Sequence, residues 1–113
     1  MNRKGVDSEA LAADFLRDRG LTILERNYRC RLGEIDLVAR DGATTVFVEV
    51  RRRASRAFGG AAESITPAKR AKLIRAARHY LSRLRDEPRC RFDALLIDGE
   101  PPRIDWIRDA FGE

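Results

Sequence analysis

GEIDLVARDGATTVFVEVRRR, running from Gly33 to Arg53, is the stretch whose reading decides how this chain folds. Apolar residues recur at every second position on both sides of Asp41-Gly42, and Asp-Gly between two alternating runs is a strong hairpin signal. Strands are therefore expected over Gly33 to Arg40 and Thr44 to Arg52. A two-residue loop at Asp41-Gly42 sets Val38 against Thr45, Asp36 against Phe47 and Glu34 against Glu49. A four-residue loop sets Asp36 directly across from Glu49. In either register Ile35, Leu37, Ala39, Val46, Val48 and Val50 share one wholly apolar face, which must be the core side, because a slip by one residue would mix the set. The other face carries Glu34, Asp36, Val38, Phe47, Glu49 and Arg51. Asp36 and Glu49 are neighbours on it at roughly 5 to 8 Å.

Outward from the hairpin, Asp7 and Ser8 are N-cap types before an apolar stripe of Leu11, Ala12, Phe15 and Leu16, and Gly20 is a natural C′ residue. A helix is expected from about Val6 to Arg19, then a strand from Leu21 to Arg29. Arg53 to Glu63 has no clear period and holds Gly59-Gly60, the composition of a mobile basic loop. Thr66-Pro67 supplies an N-cap and a proline at N1 for a second helix, whose face is Leu73, Ile74, Ala77, Tyr80, Leu81 and Leu84 and which ends before Pro88. Cys90 to Asp98 and Arg103 to Arg108 read as strands around a turn at Gly99 to Pro102. The expectation is one α/β domain over residues 1–113, with a mixed sheet flanked by helices.

The net charge of +5 is concentrated in one place. Arg51 to Arg91 holds thirteen Lys or Arg against three Asp or Glu, while the flanking stretches are slightly acidic. Such a block suits a polyanionic partner, most often nucleic acid. Cys30, Cys90 and His79 offer no Cys-x-x-Cys and too few ligands for a zinc set, so the cysteines read as reduced thiols inside a fold. No apolar run has the length of a signal peptide or a bilayer span, and a soluble cytoplasmic protein is expected.

The polar face of the hairpin is where chemistry could sit. Two carboxylates that close repel by about 2 kcal/mol at an effective dielectric near 20, and a cation between them removes the cost. Mg²⁺ suits them, since it takes one or two protein carboxylates, keeps several waters and completes its shell with phosphate oxygens. On an open face, Arg51 or Arg52 would neutralise the pair instead.

Several motifs resemble one family. Gly33-Glu-Ile-Asp-Leu-Val-Ala, then Val46-Phe-Val-Glu-Val-Arg-Arg-Arg, then Lys69 opening a helix and Arg91-Phe-Asp starting a strand closely resemble the YraN family. Gly5-Val-Asp-Ser-Glu-Ala-Leu-Ala and Arg26-Asn-Tyr-Arg extend the likeness over nearly the whole chain. That family belongs to the PD-(D/E)xK superfamily, which implies a restriction-endonuclease-like core in the order helix, three strands, helix, strand. By position the resemblance makes Asp36 and Glu49 metal ligands. It matches Glu9 to the first-helix acid of the similar archaeal Holliday-junction resolvases, although a Glu in a first helical turn is also favoured by the helix dipole alone. Arg51 stands where the superfamily has Lys. A guanidinium stays protonated and can stabilise phosphate charge but cannot deprotonate water.

The resemblance thus implies a Mg²⁺- or Mn²⁺-dependent nuclease acting on DNA, branched or damaged DNA included, with Asp36, Glu49, Arg51 and Glu9 at its site. Arg52, Arg53, Arg56, Lys69 and Lys72 are the candidate nucleic-acid contacts from the basic block. Resolvase-like relatives act as homodimers, while nothing in these residues marks a dimer surface. A binding module without turnover and an interaction protein whose partner covers the carboxylate face are the competing readings. Trp106 and Phe111 are expected to pack the C-terminal end, and His79, off the apolar stripe, to be exposed.

Overall fold

The computed structural model describes residues 4–53, 66–99 and 101–111, with side chains from Ser8 onward except that of Arg53. The chain runs α1 (Lys4–Asp18), β1 (Thr22–Cys30), β2 (Gly33–Asp41), β3 (Thr44–Arg53), α2 (Pro67–Leu81), β4 (Arg89–Asp98) and β5 (Arg103–Phe111). The five strands form one sheet in chain order. All neighbours are antiparallel except β3 and β4, which run parallel. Parallel neighbours need a long crossover, and α2 lies within it. The expected basic loop from Arg53 to Glu63 falls, beyond Arg53 itself, outside the described residues.

Local signals explain most boundaries. Gly20 at φ 92 closes α1 with Gly20 N–H donating to Arg17 O and Leu21 N–H to Leu16 O, both at 3.0 Å, the paired bonds of a Schellman end. Thr66 caps α2, its hydroxyl accepting from Lys69 N–H at 3.2 Å, with Pro67 opening the helix. α1 begins at Lys4, so Asp7 and Ser8 lie inside its first turns and not at its cap. α2 stops at Leu81, which leaves Leu84 outside the helix and exposed.

The hairpin takes the second of the two registers. Leu37 pairs with Val48, Ala39 with Val46 and Asp41 with Thr44, so the turn is Gly42-Ala43 and not Asp41-Gly42. Gly42 carries its positive φ of 62. Asp41 is drawn into the strand because its carboxylate accepts from Arg91 Nη2 at 3.0 Å.

Both faces of the sheet are covered. Leu37, Ala39, Val46, Val48 and Leu95 pack with Ala12, Ala13 and Leu16 of α1. Val38, Phe47, Phe92 and Ala94 pack on the opposite side with Leu73, Ala76, Ala77 and Tyr80 of α2. The second face of the hairpin is therefore buried around Val38 and Phe47, with Asp36 and Glu49 half-buried beyond them. Aromatic contacts run through it, from Tyr28 to Tyr80, Phe47, Phe92 and Phe111, with adjacent rings 5.1 to 5.8 Å apart. One expected core position departs from the alternation. Ile35 packs with the α2-side cluster together with Tyr28, although a strict period of two would put it with Leu37.

β5 runs through Ala110 to Phe111. Its pairing with β4 shifts between Phe92 and Ala94, opposite Arg108 to Ala110, where Asp109 takes a positive φ of 53. The bulge brings Asp109 N–H to Asp93 Oδ1 at 2.8 Å. Neither described helix is long and apolar enough to cross a membrane.

Candidate functional site

Asp36 and Glu49 stand where β2 and β3 part. Their ladder ends at Leu37 and Val48, yet β2 continues to pair with β1 as far as Gly33, and β3 with β4 as far as Arg53. Strands that leave each other this way free backbone groups, and Val50 N–H donates to Asp36 Oδ2 at 2.8 Å in place of a ladder carbonyl. The opening is a cleft of about 560 Å³ between the sheet and the start of α2. Asp36, Glu49 and Arg51 line it together with Lys69 and Lys72 of α2 and Arg29 and Glu34 of the first hairpin.

The electrostatics of the pair follow from its burial. The Glu49 carboxyl is pushed up to about 8, first by burial and then by the charge and hydrogen bond of Asp36, against the opposing pull of Arg51 and Lys69. Asp36 is also raised, by burial most of all, although the Val50 N–H and a hydrogen bond with Glu49 favour its ionised form and Glu9 and Glu34 disfavour it. Burial and mutual repulsion thus push both carboxyls toward the protonated form. Arg51 Nη1 lies 3.5 Å from Glu49 Oε2, and its side chain is 28% exposed. One guanidinium at that distance does not cancel two half-buried carboxylates.

The donor set fits a hard divalent cation in a particular way. No group of three His, Cys, Asp or Glu occurs among the described residues, which excludes a closed cage of protein ligands there. Two carboxylate oxygen donors in an open cleft match Mg²⁺ or Mn²⁺ that keeps its remaining positions for water and phosphate. Such an ion would offset the repulsion between the two carboxylates.

The other residues singled out from sequence are distributed unevenly. Glu9 is on α1, where its Oε1 accepts from Asn27 Nδ2 at 2.7 Å, and its charge is felt at Asp36. Lys69 and Lys72 face the cleft. Arg52 does not line it and instead donates to Ser8 Oγ of α1 at 3.4 Å. The Arg53 side chain and Arg56 lie outside the described residues. Glu34 is an exposed partner of Arg29 at 3.2 Å on the cleft rim. His79 is exposed and hydrogen-bonded through Nδ1 to the Tyr28 hydroxyl. Trp106 packs edge-on against Phe15 and donates through Nε1 to Asp93 Oδ2 at 2.9 Å. Cys30 and Cys90 form no disulfide and pack against the α2-side core.

Sequence reasoning passed over Asn27 and Asp93. Asn27 sits inside a strand although Asn is depleted there, and that misfit was the available signal. Asp93 is fully buried within the otherwise apolar run of β4, a buried charge that needed partners from elsewhere.

Among known proteins, the model of the uncharacterised protein family UPF0102 matches residues 8–97. A UPF0102 protein of Nitrosomonas eutropha is 60% identical over 110 residues, which cover 97% of this chain and 94% of the relative. The UPF0102 protein Nmul_A0195 of Nitrosospira multiformis is 58% identical over 109 residues, covering 96% and 92%. A UPF0102 protein of Methylobacillus flagellatus is 55% identical over 112 residues, covering 98% of each.

Proposed function

The chain belongs to the uncharacterised protein family UPF0102, the YraN family that its motifs resemble, and on that premise we propose that it is a Mg²⁺- or Mn²⁺-dependent nuclease of restriction-endonuclease-like fold that acts on DNA. The observation that carries this reading is the Asp36 and Glu49 pair, half-buried and lining one cleft with Arg51 and Lys69. Asp36 and Glu49 would hold the ion, and Val50 N–H fixes the orientation of the Asp36 carboxylate. When bound, the ion supplies Lewis acidity at the phosphate and acidification of the attacking water.

Arg51 stabilises the charge that develops on the phosphate and leaves proton removal to another group, since a guanidinium does not deprotonate. Lys69 adds a second cation, and its location supports the reading. The first turn of α2 has no acidic residue, so Lys69 and Arg70 stand at the positive end of a helix dipole, at a cost of about 0.3 to 1 kcal/mol each. Arg70 reaches over the Phe111 ring, whereas Lys69 faces the cleft and the Glu49 carboxyl. A phosphate ligand between α2 and the carboxylates would gain from Lys69 there.

Cleavage of labelled linear and branched DNA in Mn²⁺ tests the reading. Wild type should give products, and Asp36→Asn or Glu49→Gln should lose them by at least a hundredfold. Undiminished cleavage by Asp36→Asn would overturn the site. A second reading, a DNA-binding module without turnover, draws on Arg51 where the superfamily has Lys, and its mark would be wild type that binds without cutting. In both readings affinity falls with salt, with a slope of log affinity against log salt of roughly −4 to −7 for five to eight phosphate contacts.

A further inference from the structure

Asn27 stands across from Asp36, since its neighbours Arg26 and Tyr28 pair with Leu37 and Ile35. Between those two pairs both strands turn over. Leu37 packs toward α1, whereas Tyr28 and Ile35 pack toward α2, and Asn27, at φ 54, makes the reversal. A left-handed residue in the middle of a strand is costly for most side chains and least so for Asn among those with a Cβ. The reversal aims the Asn27 amide away from the ladder and at α1, where Nδ2 donates to Glu9 Oε1 at 2.7 Å across 18 positions of sequence. An ionised carboxylate only accepts hydrogen bonds, so an amide NH₂ is a suitable partner. Asp36 is flanked in this way by Glu49 on β3 and by Asn27, with the Glu9 it holds, on β1.

From this juxtaposition we infer that Asn27 is a positioning residue, which fixes the Glu9 carboxylate as an outer-layer acceptor for the waters of a divalent ion held by Asp36 and Glu49. The inference rests on the metal reading of that pair. Glu9 does not line the cleft, yet its charge is felt at Asp36, which puts it beyond direct coordination. Mg²⁺ and its substitutes keep several waters, and carboxylates one layer out orient them. A free Glu side chain on α1 would sample many rotamers. The bond from Asn27 selects one, and the left-handed backbone is the means by which β1 reaches it. Strained backbone of this kind collects at sites where a side chain must be aimed.

Calorimetric titration of Mn²⁺ into the full chain tests the proposal with wild type, Asn27→Gly, Glu9→Gln, their double variant and Asp36→Asn. Glycine accepts the positive φ and removes only the amide, so a purely conformational role for Asn27 would leave affinity unchanged. Asn27→Gly and Glu9→Gln should each weaken Mn²⁺ about 10- to 100-fold, and the double variant no further than Glu9→Gln, because Asn27 acts only through the carboxylate that Glu9→Gln removes. Wild-type affinity in either single variant, or multiplied losses in the double, would overturn the role of Asn27 while leaving the metal site standing. Should Asn27→Gly not fold, Asn27→Asp, which tolerates the same backbone and cannot donate, decides the matter by the same criterion. Undiminished binding by Asp36→Asn, or none by wild type, would instead remove the metal reading and this inference with it.

Discussion

Asp93 and the Asp36 and Glu49 pair are carboxylate centres of one sheet held in opposite ways. Around Asp93, donors are in excess. Its Oδ1 accepts from Arg91 Nε at 3.0 Å and Asp109 N–H at 2.8 Å, and its Oδ2 from Trp106 Nε1 at 2.9 Å and Arg91 Nη2 at 3.2 Å. Arg91 continues to Asp41 at 3.0 Å, which Arg108 also reaches at 3.2 Å, so β4, β5 and the end of β2 are tied together. Burial works against the Arg91 charge, but Asp93 and then Asp41 outweigh it and hold its pKa up. Around Asp36 the balance is reversed. Acid faces acid, Glu9 and Glu34 add to the negative field, and both carboxyls are pushed toward the protonated form. A buried carboxylate with its donors in place locks a fold, whereas two half-buried carboxylates side by side stand against their own repulsion.

The largest expected effect falls on the closed centre. Asp93→Ala leaves Arg91 as a buried charge without its main partner and strands the Trp106 indole N–H. It should cost on the order of 3 to 5 kcal/mol, read from the midpoint of urea unfolding. A loss under about 1 kcal/mol would mean that the centre is not structural.

Next in size is the open centre's contribution to rate. Arg51→Ala should raise the cleavage barrier by about 2.7 to 4 kcal/mol, a loss of a hundredfold or more in single-turnover rate, and leave the urea midpoint nearly unmoved. Arg51→Lys should retain the rate. A large fall in stability with an unchanged rate would assign Arg51 to the same class as Arg91.

The pH dependence separates the centres further. Glu49 has an ordinary value of 4.5 and is raised to about 8 in the fold, so the native protein keeps a proton that the unfolded chain releases. The stability this contributes is full below pH 4.5 and is lost as pH rises through about 8. Glu49→Gln, which cannot ionise, should therefore overtake metal-free wild type above about pH 8 by on the order of 1 to 3 kcal/mol. Mn²⁺ should restore the wild type by stabilising the ionised pair. Parallel stability profiles for the two proteins from about pH 5 to about pH 9 would contradict the raised value.

The smallest effect belongs to the rim of the closed centre. Arg108→Ala removes an exposed contact to Asp41, which Arg91 still holds, and should change stability by no more than about 0.5 kcal/mol. A loss as large as that of Asp93→Ala would show that the network acts as one unit.

Much of this was legible in the chain itself, wherever the signal is local. Element order, the Thr66-Pro67 start of α2, the Gly20 stop of α1 and the shared face of Asp36 and Glu49 all follow from periods and caps that span a few residues. A side-chain period of two admits no other parity for an apolar set such as Leu37, Ala39, Val46 and Val48. The choice between two allowed registers did not follow, because Asp41 joins β2 through Arg91, fifty positions away. Nor did the parting of β2 and β3, which depends on each strand keeping a different neighbour, or the reversal at Asn27, which depends on Glu9 of α1 and on Tyr28 packing beneath α2. Alternation tells which side of a strand a residue occupies. What else stands on that side, and hence whether Asp93 is locked and Asp36 set against like charge, is decided only when segments distant in sequence are packed together.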